Sequence, residues 1–168
     1  MNKNDIERYL QLLGQELQNQ NTTGNILLLG GAVMLLEVGN RATTQDIDAS
    51  FEGSNAPLIR QAVVVIAQRE GLARDWLNDA AKGFLYSQPS MTLWRQYPGL
   101  NVYLPSLDYL LAMKIVAGRP RDIEDAKALI QKLHISNEHS LLLIVTKYVP
   151  RERIDVRVQY LIADLFES

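Results

Sequence analysis

Two glycines and two carboxylates are the residues of this chain whose types and spacing could perform chemistry. Gly30 and Gly31 end a short apolar run, and Asp46 and Asp48 follow on a second stretch that is typical of a strand. Side chains two positions apart on a strand share a face, so Asp46 and Asp48 are expected side by side, with Cα atoms about 6.5 Å apart. Two such carboxylates repel each other unless a cation or protons lie between them.

A divalent metal and a phosphate group would suit this pattern. Magnesium, or manganese in its place, binds carboxylate oxygens together with the phosphate oxygens of a substrate. The glycines offer backbone amides without a Cβ at a strand-to-helix junction, where phosphates can be held. Metal and amides together fit nucleotidyl transfer from a nucleoside triphosphate. Taken alone, Asp-x-Asp on a strand is more often a solvated face, and a glycine pair is more often a turn.

Composition limits the remaining classes of function. The 168 residues suit one domain, or a core with a small appendage, and they include no cysteine. Thiolate nucleophiles, thiolate zinc sites and redox dithiols are therefore excluded, and a reducing compartment is indicated. The net charge of −2 provides no global attraction to nucleic acid. The polar N-terminus and an apolar stretch over 25–38 that is too short to span a bilayer predict a cytoplasmic protein without a membrane partner.

The periodicity of apolar residues predicts an α/β (α+β) fold, in which a mixed β-sheet core is flanked by helices and followed by a helical C-terminal part. The core is expected over residues 1–104 and the helical part over 105–168. For the core we predict, in chain order, a helix over 4–20, a strand over 26–29, helices over 32–37 and 58–70 on either side of a strand over 45–51, a short helix over 75–84, and strands over 91–96 and 100–104. For the helical part we predict helices over 107–117, 120–133, 136–148 and 154–166, with Ser106 and Ser136 as caps.

Two motifs resemble those of a known superfamily. Residues 30–49, with Arg and Thr just before Asp-x-Asp, resemble the nucleotidyltransferase signature in its AbiEii-toxin-like version. Residues 107–125 resemble the downstream motif of the same group, a lysine followed by Arg-x-(Lys/Arg)-Asp-x-x-Asp. Residues 75–79 resemble a segment of a less characterised nucleotidyltransferase-like branch. The resemblance extends from about Asp5 to Phe166, and it implies a nucleotidyltransferase-like core.

The resemblance also implies a role for individual residues. Asp46 and Asp48 would bind the metal, Gly30 and Gly31 would contact the triphosphate, and Arg41 and Thr44 would flank that site. Lys114 would contact a phosphate or a catalytic carboxylate. The second motif would lie near the site and consists of Arg119, Arg121, Asp122 and Asp125. It further implies an RNA (tRNA-like) or protein acceptor and a cognate antitoxin. From the residues alone, Lys114 could equally reach the surface from its apolar helix, and Asp125 could pair with Arg121 or with a lysine one turn away.

One departure from the superfamily's pattern leaves a second reading open. Active nucleotidyltransferases usually carry a third carboxylate on a later strand, whereas the predicted strand over 100–104 offers Asn101 and no acid. Asp75, Asp79 and Asp108 are the nearest acids, without the expected strand setting. The alternative is therefore a catalytically silent module that binds a nucleotide or a partner with the same fold.

A local basic cluster lies near Pro150. It could contact the phosphates of a tRNA-like substrate, or it could form a solvated helix face balanced by neighbouring acids. Its members are Lys147, Arg151, Arg153 and Arg157, and the acids are Glu152 and Asp155.

Overall fold

The computed structural model describes residues 1–79 and 86–167. These residues form two compact units: the first contains 1–79 and 91–105, and the second contains 86–90 and 106–167. Within these ranges, no helix has both the length and the apolar character needed to cross a membrane.

The first unit is built on a five-stranded mixed sheet. Its elements in chain order are α1 (Lys3–Asn19), β1 (Gly24–Leu29), α2 (Gly30–Val33), a π-helical turn (Met34–Val38), β2 (Ile47–Glu52), α3 (Ala56–Glu70), β3 (Leu77–Asn78), β4 (Met91–Tyr97) and β5 (Leu100–Pro105). The strand order is β3-β2-β1-β5-β4. β1 pairs antiparallel with β2 and parallel with β5, β2 pairs parallel with β3, and β4 pairs antiparallel with β5. The predicted α/β class is confirmed.

The two long helices of this unit cover one face of the sheet. A Cβ on Gly24 of β1 would lie 2.9 Å from Leu17 Cδ1 of α1 and 3.0 Å from Ile59 Cγ1 of α3. Side chains alternate along β1, so Leu29 points to the opposite face from Gly24. Asp48 of β2 stands opposite Leu29 in the antiparallel register. Asp48 therefore lies on the face of the sheet that α1 and α3 leave uncovered.

The second unit is helical in the residues described. Its elements are α4 (Leu107–Ala117), α5 (Pro120–Lys132), α6 (Glu138–Tyr148), a 3-10 turn (Arg151–Arg153) and α7 (Val156–Asp164). α4 ends at Gly118, whose φ of +61° favours glycine, and Pro120 then begins α5. The predicted cap at Ser136 was wrong, because Asn137 caps α6 by accepting a hydrogen bond from the Ser140 amide at 2.8 Å.

The segment over 75–84 differs from its prediction as a helix. Leu77–Asn78 form the short strand β3, and residues 80–84 of the predicted helix lie outside the described residues. Trp76 is buried, and its indole N–H donates to the Val63 carbonyl at 3.0 Å. The Ile47 amide donates to the Trp76 carbonyl at 2.8 Å. Tertiary contacts of Trp76 thus hold this backbone beside β2, and local propensity does not decide its conformation.

Candidate active site

The first glycine after β1 lies directly against a carboxylate. Gly30 has φ +59°, and a Cβ built on it would lie 2.8 Å from Oδ2 of Asp48. Any other residue would be strained in this left-handed conformation and would displace the carboxylate. Gly30 therefore lets the chain turn out of the sheet while Asp48 stays close to the backbone.

The second glycine faces a cation and a hydroxyl. A Cβ on Gly31 would lie 2.8 Å from Arg41 Nη1 and 3.0 Å from Thr44 Oγ1. The Thr44 hydroxyl donates to the Asp46 carbonyl at 3.0 Å, and the Thr44 amide donates to the Met1 carbonyl at 2.9 Å. These bonds fix Thr44 beside Gly31. The first unit therefore brings the sequence-predicted residues Gly30, Gly31, Arg41, Thr44 and Asp48 close to one another along the chain's path out of β1.

The helical segment after β1 begins without a side-chain cap. α2 spans only Gly30–Val33, and the π-helical turn Met34–Val38 continues it to Gly39. Its N-cap, Leu29, makes no side-chain capping hydrogen bond. The first amides of such a segment are donors that a bound anion can satisfy.

An asparagine that the sequence analysis did not select lies beside Asp48. Asp48 and Asn78 are register partners in the parallel pair of β2 and β3, so both side chains lie on the same face of the sheet. Asp46 is exposed and lies in a bend one residue before β2, so the prediction that it shares a strand with Asp48 was wrong. A strand of two residues is too short for apolar alternation to reveal it, so only strand pairing identifies Asn78.

Asn101 does not take the place of a third metal ligand. Its Nδ2 donates to Oδ1 of Asn25 at 3.0 Å, and the two are register partners near the start of β1. Asp48 stands opposite Leu29 at the other end of β1, four residues from Asn25 and hence about 13 Å along the strand. Asn101 therefore lies at the opposite end of β1 from Asp48.

The other acids considered from the sequence have separate settings. Oδ2 of Asp79 accepts from Arg60 Nη2 at 2.6 Å, and Oδ2 of Asp108 accepts from the Tyr148 hydroxyl at 2.8 Å. Asp75 is exposed and precedes β3. In residues 1–79 and 86–167, no group of three or more His, Cys, Asp or Glu side chains is arranged to hold a metal ion.

The second motif forms a buried ionic cluster within the helical unit. Lys114 Nζ lies 3.1 Å from Asp122 Oδ1 and 2.8 Å from Asp125 Oδ2, and the Lys114 side chain is only 10% exposed. Arg119 Nε lies 2.6 Å from Asp122 Oδ2, and the Arg119 amide donates to the same oxygen at 3.3 Å. Lys114 therefore contacts carboxylates of the motif itself, while Arg121 of the same motif is exposed.

Ionisation of Asp122 is favoured by these contacts. Burial is the largest single effect and raises the pKa, but the hydrogen bonds and the positive charges of Arg119 and Lys114 together outweigh it. The pKa of Asp122 is therefore lowered from its ordinary value. Asp122 therefore remains charged at neutral pH. From the first turn of α5 it contacts Lys114 of α4 and Arg119, the N-cap residue of α5.

Three of the four cations near Pro150 have contacts within the helical unit. Lys147 Nζ lies 3.6 Å from Asp108 Oδ2, the Arg153 guanidinium lies over the Tyr86 ring at 5.8 Å, and Arg157 donates to the Val116 carbonyl at 2.7 Å. These contacts favour the interpretation of the cluster as part of a balanced helix surface.

The first strand of the mixed sheet ends at a glycine pair, and Asp48 of its antiparallel neighbour lies against the first of these glycines. The chain belongs to the family described as "Nucleotidyltransferase of unknown function (DUF6036)", which matches residues 8–161. This match supports the superfamily but not the AbiEii-like branch. No curated protein matches the chain.

Proposed function

We propose that this protein is a magnesium-dependent nucleotidyltransferase that moves a nucleoside monophosphate from a nucleoside triphosphate to an acceptor. The observation that carries the proposal is the closeness of Asp48 to Gly30, where an added Cβ would lie 2.8 Å from the carboxylate oxygen. A metal-binding oxygen thereby adjoins the first amides of a helical segment, which are phosphate-binding groups. Membership of a nucleotidyltransferase family supports the reaction class.

Asp46 and Asp48 are the residues that would hold magnesium or manganese. The donor set fits such an ion, because Asp46 and Asp48 are carboxylates separated by one residue in sequence and Asn78 adds an amide oxygen on the strand beside Asp48. Magnesium is commonly held by one or two protein carboxylates, with substrate phosphates and water completing its shell. When bound, the metal would neutralise phosphate charge and orient the reacting phosphoryl group.

Arg41, Thr44 and the glycine amides would bind the triphosphate. A guanidinium matches phosphate geometry with two parallel hydrogen bonds, and the Thr44 hydroxyl beside it can donate or accept. Thr44 is already held by its bonds to Asp46 and Met1, so binding would cost little ordering of this residue. These residues would position the phosphates before transfer, which is the main protein contribution to such reactions.

The second motif is assigned a supporting role in this proposal. Lys114 and Asp122 would fix the start of α5 through their buried contacts, so that neither needs to meet the substrate directly. Arg119, whose side chain is 77% exposed, and the exposed Arg121 are the cations that the second unit presents at this motif. This assignment modifies the role that the resemblance implied for Lys114.

The acceptor and the setting are the finer parts of the proposal. An RNA 3′ end, such as that of a tRNA-like molecule, or a protein hydroxyl would receive the nucleotide. The likeness of the two motifs to AbiEii-type toxins supports a toxin role with a cognate antitoxin as partner. That support comes from the motif residues alone, at positions 30–49 and 107–125.

A catalytically silent nucleotide-binding module is the second candidate. The observation that favours it is the lack of a third acid near Asp46 and Asp48 among the described residues. Such a module would retain the contacts of Gly31, Arg41 and Thr44 with phosphates.

The deciding experiment incubates the protein with each labelled nucleoside triphosphate, magnesium, and either total RNA or cell extract. We expect label transfer that falls to background in Asp46→Asn and Asp48→Asn. Glu52→Gln is the matched control, because Glu52 lies on the same strand and face as Asp48 but opposite Asn25, and it should retain transfer. Absence of transfer, together with nucleotide binding that does not depend on magnesium, would favour the silent module instead.

A further inference from the structure

A groove of about 940 Å³ lies between α6 and α7 of the helical unit. Its apolar lining is Leu142, Ile154, Val156, Tyr160, Ile162 and Ala163. A volume of this size is at the upper end of the range for small-ligand sites. The lining comes from two short helices and the turn between them, which is typical of grooves that bind helices of a protein partner.

The same two helices carry large apolar side chains in water, and several of these side chains line the groove. Leu142 and Leu143 of α6 are 37% and 57% exposed, and Val156 and Tyr160 of α7 are 64% and 68% exposed. Both helices already bury other apolar residues, such as Val145 and Val158. The exposed set is therefore additional to the core. Three of its members, Leu142, Val156 and Tyr160, line the groove together, as is typical of an interaction surface.

The two ends of the groove carry opposite charges. Glu138 lies in the first turn of α6, and Arg151 lies in the 3-10 turn beyond its last residue, with both side chains lining the groove. α6 begins at Glu138 and is roughly 15 Å long at the rise of an α-helix, and Arg151 lies beyond its last residue. A twofold axis through the middle of the groove would bring Glu138 of one copy to Arg151 of the other, and the reverse.

This charge pattern distinguishes the kinds of partner. A uniformly charged partner, such as a nucleic-acid backbone or an acidic helix, would meet one attractive end and one repulsive end. A second copy in the antiparallel orientation would meet attraction at both ends and would cover the apolar middle.

We propose that the α6–α7 groove is the interface of a symmetric homodimer, in which Tyr160 and Val156 pack against the α6–α7 pair of a second copy and Glu138–Arg151 pairs form at both ends. This inference is independent of the proposed enzymatic function, because none of its residues belongs to the candidate active site. The charge pairs set the antiparallel orientation, and the apolar residues supply the main driving force.

Sedimentation equilibrium over a range of protein concentrations tests the interface. We expect the wild-type chain to dimerise and Tyr160→Glu to raise the dissociation constant by about 30-fold or more, as for a buried aromatic anchor. Leu93→Glu is the matched control, because Leu93 of β4 is likewise 48% exposed but lies in the first unit, and it should leave dimerisation unchanged.

Charge reversal tests the orientation. Glu138→Arg and Arg151→Glu should each weaken self-association by about tenfold, because each creates two like-charge contacts in the dimer. An equimolar mixture of these two variants should form a heterodimer of near wild-type affinity, since all end contacts are then again opposite in sign. Circular dichroism melts of each variant confirm folding before mixing.

Three outcomes would overturn the proposal. These are a wild-type chain that stays monomeric at all concentrations, a Tyr160→Glu variant that dimerises like wild type, and a mixture of the two charge variants that associates no better than each alone. The first would leave the groove to a different partner, and the third would exclude the antiparallel pairing.

Discussion

Replacing Lys114 by methionine should destabilise the protein far more than the loss of a surface lysine would. Lys114 Nζ lies 2.8 Å from Asp125 and 3.1 Å from Asp122, and the two carboxylate side chains are only 2% and 3% exposed. Methionine fills a similar volume but leaves these two acids buried without their shared cation. Removal of one partner from a buried ionic group costs about 3–5 kcal/mol of unfolding free energy.

Urea unfolding followed by circular dichroism at neutral pH measures this cost. A loss of 3–5 kcal/mol corresponds to a melting temperature lower by about 6–20 °C for a chain of this size. Lys127→Met is the matched control, because Lys127 is 58% exposed and its partner Glu124 is 72% exposed. Its effect should stay within about 0.5 kcal/mol.

The pH dependence gives the same prediction a second test. The lowered pKa of Asp122 means that its stabilising charge is present above the ordinary pKa of an aspartate and is lost as the pH falls through the folded-state value. Arg119 and Lys114 both lower this pKa, and Lys114→Met removes the second of them, so protonation of Asp122 becomes easier. The stability difference between wild type and variant should therefore shrink as the pH is lowered from 7 toward about 4.

The reasoning would be refuted if Lys114→Met lost less than about 1 kcal/mol, the range of an exposed ion pair. It would also be refuted if Asp125→Asn, added to Lys114→Met, recovered none of the lost stability. Replacing Asp125 by its neutral amide removes one of the two buried negative charges that Lys114 balanced, so a positive recovery is expected.

Two further comparisons use matched pairs. Gly30→Ala and Gly39→Ala both place a Cβ at positive φ, of +59° and +73°, so each should lose roughly 1–2 kcal/mol in urea unfolding. Only Gly30→Ala should also lower nucleotide transfer, because its Cβ would displace Asp48. A Cβ at Gly39 would meet no atom within 4 Å, so equal activities of the two variants would contradict this expectation. Tyr148→Phe should lower stability by about 1.5–3 kcal/mol in thermal melts, because its hydroxyl donates to Asp108 at 2.8 Å. Tyr109→Phe should be neutral or stabilising, since burial raises the pKa of Tyr109 to about 12 and its hydroxyl has no hydrogen-bond partner among the described residues; a loss like that of Tyr148→Phe would count against it.

Local sequence signals were sufficient for most helices and strands of this chain. The prediction of α4 over 107–117 agrees with its observed bounds, and the predicted end of α5 differs by one residue. These bounds were predictable because glycine readily adopts the left-handed conformation that ends a helix, and proline favours the first turn of the next one. The glycine pair and Asp-x-Asp were likewise visible in the sequence, and the antiparallel pairing of β1 with β2 brings Gly30 and Asp48 together.

Contacts between distant residues were beyond the reach of those signals. β3 has two residues and no periodicity, so its pairing with β2, which places Asn78 beside Asp48, depends on the tertiary burial of Trp76. Asn101 looked like a substitute for a missing acid because spacing along the chain does not reveal which end of a strand adjoins a site. The strand register alone placed it with Asn25.

The sequence by itself determined the order of most elements, because backbone preferences and apolar alternation act over a few residues. It also shows directly that two carboxylates follow the glycine pair. Tertiary structure decided which polar group neighbours Asp48 and which anions Lys114 meets. A lysine in an apolar helix is compatible with a surface position or with a buried pair, and only the packing of α4 against α5 brings Asp122 and Asp125 to its ammonium group. Burial and register are properties of the whole chain, and they cannot be calculated from any one segment.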